Sequence, residues 1–157
     1  MTAARVVFPA LDRRVQELPD ETSAEALRTF FATRLQDAEV DTASRDGDGR
    51  ELAELVRAAI RLAMTERLFA RCDRAEAVLS NTLSFLTWLV VECPELSAPR
   101  RLGGLQAARW CAEELASLYE DHGRPAHARV VRAALGAIER RAFVARAAAP
   151  AARSTVS

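Results

Sequence analysis

An all-α fold is predicted by three features of this 157-residue chain. Apolar residues recur at helical spacing in several long segments, the alternation expected of strands is nearly absent, and alanine, leucine, arginine and glutamate dominate. Turn signals between those segments predict antiparallel helical hairpins, four to five helices in one bundle. Hydrophobic residues make up 50% of the chain and charged ones 28%, enough for one domain with a real core.

Residues 1–21 read as an extended or short helical segment. Pro9 breaks "VVFPAL", and Leu11 to Leu18 leave room for about two turns before Pro19. The helical domain is expected over residues 22–147. Its first helix starts at Thr22 or Ser23 and turns Ala26, Leu27, Phe30, Phe31 and Leu35 to one side. A polar, glycine-containing linker follows at about 39–50. Its "DGDG" has the look of a calcium loop, but Arg50 sits at the next alternate position and the register fails, which favours a solvated linker.

From Arg50 to Cys72, the residues Leu52, Leu55, Val56, Ala59, Leu62, Ala63, Phe69 and Ala70 form one stripe. Glu66 falls inside it, so an arginine should pair with it, either Arg74 or one from the last helix. A helix from Asp73, apolar on most sides, is the expected central element and stops at Pro94. "PELSAPRRLGG" reads as a loop, followed by a helix over about Leu102–His122. Gly123 ends that helix and Pro125 opens the last, which runs to about Arg146 before a disordered tail at 148–157.

The stretch "LASLYEDHGRPAHA" is similar to the tetratricopeptide-repeat (TPR) pattern. Leu115, Ala116, Tyr119, Gly123 and Ala128 stand at that family's large, small, aromatic, turn-glycine and small positions. Ala112 replaces the usual tryptophan, and Arg132 and Leu135 depart from the pattern on the second helix. Offsetting the chain by 51 residues sets "LFARCDRAEAVL" against "YEDHGRPAHARV" as a degenerate second copy, with Cys72 in place of the glycine. The resemblance implies stacked hairpins that hold a protein segment, as an adaptor or chaperone-like binder. In size and pattern the chain also resembles the flagellin-type export chaperones, whose helices grip a client's disordered end.

Composition narrows the chemistry. Acids and bases balance at 22 each, so no global field draws the chain to nucleic acid or membrane. The charge is uneven, with 12 acids and 8 arginines in residues 1–60 against 5 and 9 in residues 101–157. All basic residues are arginine, as in GC-rich genomes, which removes Schiff-base and Walker-type lysine chemistry. Cys72, Cys93 and Cys111 have no paired close spacing and are expected to be reduced and buried. No long apolar run opens the chain, and Glu92 and Pro94 interrupt "LSFLTWLVVECPEL", so a cytoplasmic location is expected.

No catalytic motif is readable. His122 and His127 flank a turn, Cys111 lies three helical turns before His122, and no ligand spacing links them, so neither metal nor cofactor is expected. Ser80, Asn81, Thr82 and Ser84 read as interhelical hydrogen-bonders. The chain is therefore expected to be a non-enzymatic module, monomer or homodimer, whose partner is a protein or peptide. Trp110 marks the surface: on the helical projection it stands among Gln106, Glu113, Glu114, Ser117 and Asp121, a polar face where a tryptophan needs a cover. The cover is either the "VVFPAL" segment or a partner, and the acids favour a basic or amphipathic ligand. Nucleic-acid binding through Arg129, Arg132 and Arg140 of the basic last helix ranks behind.

Overall fold

The computed structural model describes residues 21–41, 49–93 and 95–148. Five helices follow one another: α1 (Glu21–Asp41), α2 (Arg50–Leu68), α3 (Cys72–Glu92), α4 (Ala98–Asp121) and α5 (Pro125–Ala148). No strand occurs among the described residues. Each helix packs antiparallel on the next, and α2 also packs on α4 and α3 on α5. Residues 1–20 of the N-terminal segment and 149–157 of the tail, with the folds expected of them, lie outside the described residues, whereas Glu21 and Ala148 belong to α1 and α5.

The core forms where the periodic stripes meet. Leu52, Leu55, Val56, Ala59 and Ala63 of α2 pack with Leu79, Leu86 and Leu89 of α3 and with Ala108, Cys111, Leu115 and Ala116 of α4. A smaller cluster joins Val90, Ile138 and Ala142 beside Val91 and Leu105. The stripe assigned to α2 ends earlier than expected. Phe69 is its C-cap, and Ala70 is exposed in the left-handed region at φ 56°.

Two further boundaries move. Helix α1 extends to Asp41, into the expected linker. Helix α4 begins at Ala98 rather than Leu102, with Ser97 Oγ accepting from the Arg100 amide and Pro99 in the first turn, where a missing amide costs nothing. Gly103 and Gly104, which look like breakers, serve close approach instead. A Cβ on Gly104 would stand 2.6 Å from Val90 Cγ1 and 3.5 Å from Leu52 Cδ1, and one on Gly49 would stand 3.0 Å from the Gly103 Cα.

The two hairpins α2–α3 and α4–α5 repeat one another at an offset of 53 residues, not 51. The Ala70 amide donates to Arg67 O and the Arg71 amide to Glu66 O, and their counterparts Gly123 and Arg124 donate to Glu120 O and Tyr119 O. This is the Schellman arrangement at both helix ends, with Ala70 rather than Cys72 in the place of Gly123. In the same register Ala59 matches Ala112, Leu62 matches Leu115, Ala63 matches Ala116 and Ala75 matches Ala128, and all eight are buried.

Glu66 is buried and paired, but its partners come from elsewhere than expected. Arg28 of α1 donates from Nε to Glu66 Oε1 at 2.7 Å, and Arg71 Nη1 lies 3.7 Å from Oε2. Glu21 accepts from both arginines, so the network ties the start of α1 to the α2–α3 turn. Hydrogen bonding to Arg71 holds the Glu21 carboxyl below its ordinary range.

Candidate functional site

Trp110 stands on α4 where that helix packs against α2, and 38% of it is exposed. The Arg57 guanidinium of α2 lies 5.9 Å from the ring centroid, within cation–π range. Arg57 and Trp110 are 53 residues apart, so they occupy equivalent places in the two hairpins and meet where the first helix of one hairpin packs on the first helix of the other. Arg61, one turn further along α2, is exposed on the same face.

The charges around Trp110 differ from those the sequence suggests. Asp121 is bound by Arg67 of α2 at 3.1 Å, and Glu113 turns toward α5, where Arg132 Nη2 lies 3.5 Å away. Arg132 Nη1 also donates to Glu120. Ser117 is exposed and Glu114 half-buried. Arg57 and Arg61, by contrast, make no ion pair among the described residues. The expectation of an acidic surface seeking a basic ligand is therefore revised, because two of the acids are already neutralised and the unpaired groups include arginines. "VVFPAL" lies outside the described residues, as does any cover it supplies.

The basic residues of α5 do not join this surface. Arg132 is held by Glu113 and Glu120 and Arg141 by Glu92, and Arg124, in the turn before α5, is held by Glu76. Arg129 and Arg140 are exposed on α5 and make no ion pair among the described residues. The basic stripe read from the sequence is thus interrupted by acids of α3 and α4.

Tyr119 fills the space where α3, α4 and α5 meet. It is 9% exposed, its hydroxyl donates to Glu76 Oε1 at 2.7 Å, its ring lies 5.2 Å from that of His127, and Arg124 covers its face. Burial, then the Glu76 carboxylate, pushes the phenol above its ordinary range. His122 and His127 are both exposed at the turn. Cys111 is fully buried, its Sγ donates to Leu79 O, and burial pushes the thiol up to about 12. Cys72 and Cys93 are only partly buried, contrary to the expectation for all three.

Sequence reasoning missed two groups. Trp88 is 48% exposed, with Phe85 beside it at 6.2 Å; its helical position among Arg74, Ala77, Asn81 and Ser84 was a usable signal. Arg101 is buried and donates to the carbonyls of Val90 and Cys93, capping the end of α3 from within α4. A cleft of about 280 Å³ also opens between the start of α4 and the end of α5, bordered by Leu102, Leu105 and Phe143.

These features define a helical-hairpin protein with an aromatic–arginine surface along its first-position helices. No family model, curated protein or solved structure matches the chain. None of the described helices is long and apolar enough to cross a membrane.

Proposed function

We propose that the chain is a non-catalytic, intracellular interaction module that holds a protein segment across the face shared by α2 and α4, with Trp110 as the anchor. The observation behind this is the half-exposed indole with an otherwise unpaired arginine over its ring. Tryptophan and arginine are the side chains most enriched among binding hot spots, and here they converge from two helices. The use of paired helices follows the TPR manner, although the repeat spans 53 residues against about 34 in that family. The shared feature is the turn and the small residues after it, while the helices themselves are longer.

The ligand this surface favours is an extended or helical segment carrying apolar and acidic side chains. Arg57 and Arg61 supply the charge and Trp110 the apolar contact. Selection from a displayed library of random peptides tests this directly. Enriched peptides should be acidic, bind wild type and Trp88→Phe protein equally, and lose at least tenfold in affinity to Trp110→Ala. In the Trp88→Phe protein Trp110 is the sole tryptophan, so binding should also shift its emission. Peptides that bind Trp110→Ala undiminished would move the site elsewhere. A single-stranded oligonucleotide, binding with a steep salt dependence through Arg129 and Arg140, would instead support the nucleic-acid reading.

A further inference from the structure

The internal repeat gives the cleft at the end of α5 a meaning. In the first hairpin, Leu52 and Val90 form a socket into which the next helix, α4, inserts Gly104. The residues 53 places later are Leu105 and Phe143, and these two border the open cleft of about 280 Å³. The second hairpin thus carries the same seat with no helix of the described chain in it. Phe143 is 71% exposed there and Leu102, at the cleft's edge, 55%. Exposed large apolar side chains around a preformed depression are the mark of a surface that a partner covers.

We propose that α1 of a second copy takes this seat, so that the protein associates head to tail. Two observations favour α1 over another helix. The first is charge: Arg140, exposed one turn before Phe143, and Asp37, exposed one turn beyond Thr33 on α1, make no ion pair among the described residues, and α5 as a whole is basic where α1 is acidic. The second is shape. The free face of α1 presents Thr22, Ala26, Thr29 and Thr33, all exposed, beside Phe30 at 42% exposure. These side chains are larger than Gly104, and the open cleft of about 280 Å³ leaves room for them against Phe143 and Leu105. The contact joins two different surfaces, so every assembly still offers one free α1 at one end and one free seat at the other, and longer assemblies form as concentration rises. Gln106 borders both the cleft and the polar side of α4 that carries Trp110, but neither Trp110 nor Arg57 lines the cleft, and this inference does not depend on the ligand proposed for them.

Sedimentation of the full chain tests the proposal, with Phe143→Arg blocking the seat and Thr33→Arg blocking α1. Both positions are exposed, and circular dichroism checks that each variant remains helical. Wild type should exceed the 17.2 kDa of one chain increasingly with concentration, and the association should weaken in high salt. Each variant alone should be monomeric. Mixed one to one they should form a heterodimer that grows no further, because the intact seat of Thr33→Arg accepts the intact α1 of Phe143→Arg. A wild type that stays monomeric at all concentrations overturns the proposal. So does a Thr33→Arg protein that still self-associates, which would mean a two-fold contact between seats. Association that appears only after deletion of residues 149–157 would assign the seat to the chain's own tail and equally overturn it.

Discussion

Replacing Tyr119 separates packing from polar linkage at the junction of α3, α4 and α5. Truncation to alanine removes a ring that is 91% withdrawn from water, and its neighbours belong to helices too long to collapse onto the gap. A buried aromatic of this kind removes about 150 Å² from water, worth about 4 kcal/mol at about 25 cal/mol per Å². Measured aromatic-to-alanine losses lie at about 3 to 5 kcal/mol, which agrees. Tyr119→Phe keeps the ring and deletes only the bond to Glu76. That carboxylate is partly exposed and retains Arg124 at 3.1 Å, so the expected loss is smaller, about 1 kcal/mol. Urea denaturation followed by circular dichroism measures both, and at about 2 to 4 °C per kcal/mol the alanine variant should also melt at least about 6 °C lower. An unchanged midpoint for Tyr119→Ala would refute the assignment of the ring as the filler between hairpins. Equal losses for the two variants would place the whole effect in the hydroxyl.

The repeated turn predicts opposite outcomes at its two left-handed residues: Ala70→Gly should stabilise by about 0.5 to 1 kcal/mol and Gly123→Ala should destabilise by about 1 kcal/mol, both read from denaturation midpoints. Cys111 makes stability fall in alkali. Its folded thiol titrates at about 12 and an unfolded one near about 8.5, so its contribution is complete below the lower value and is lost as pH rises toward the higher; Cys111→Ala should flatten that limb of the pH–stability curve. In native protein at mild pH, a thiol reagent should reach Cys72 and Cys93 well before Cys111.

The helices were legible because apolar spacing reports directly on which side faces the core: Leu52, Leu55, Val56, Ala59, Leu62 and Ala63, and on the later helix Leu115, Ala116 and Tyr119, are buried. The start of α4 was not legible, since "RLGG" looks the same whether its glycines break a helix or let one approach a neighbour. That distinction depends on Val90 and Leu52, which are distant in sequence. The register of the repeat was misread for a related reason. Glycine marks the turn after α4 but alanine marks the one after α2, and only the paired hydrogen bonds align Ala70 with Gly123. The need for a partner at Glu66 followed from its place in the stripe, but the partner's identity depended on α1 crossing the end of α2, which periodicity does not encode.

The charge of the Trp110 surface shows where such reading fails most and what replaces it. Helical spacing places Glu113, Glu114 and Asp121 around the indole, and taken alone that composition calls for a basic ligand. Tertiary packing brings Arg67 to Asp121 across 54 residues and Arg132 to Glu113 across 19, so two acids are already compensated, while Arg57 and Arg61 arrive from α2 without carboxylate partners. The sign of the preferred ligand therefore follows from the pairings rather than from the count. Reversing one charge tests this: Arg57→Glu should cost an acidic, tryptophan-anchored peptide more than tenfold in affinity, and Arg57→Ala should cost less. The salt dependence of binding should diminish in Arg57→Ala, because one attractive charge has gone while the indole contact remains. Tighter binding of an acidic peptide by Arg57→Glu would show that Glu114 and its neighbours, not the arginines, set the field at this surface.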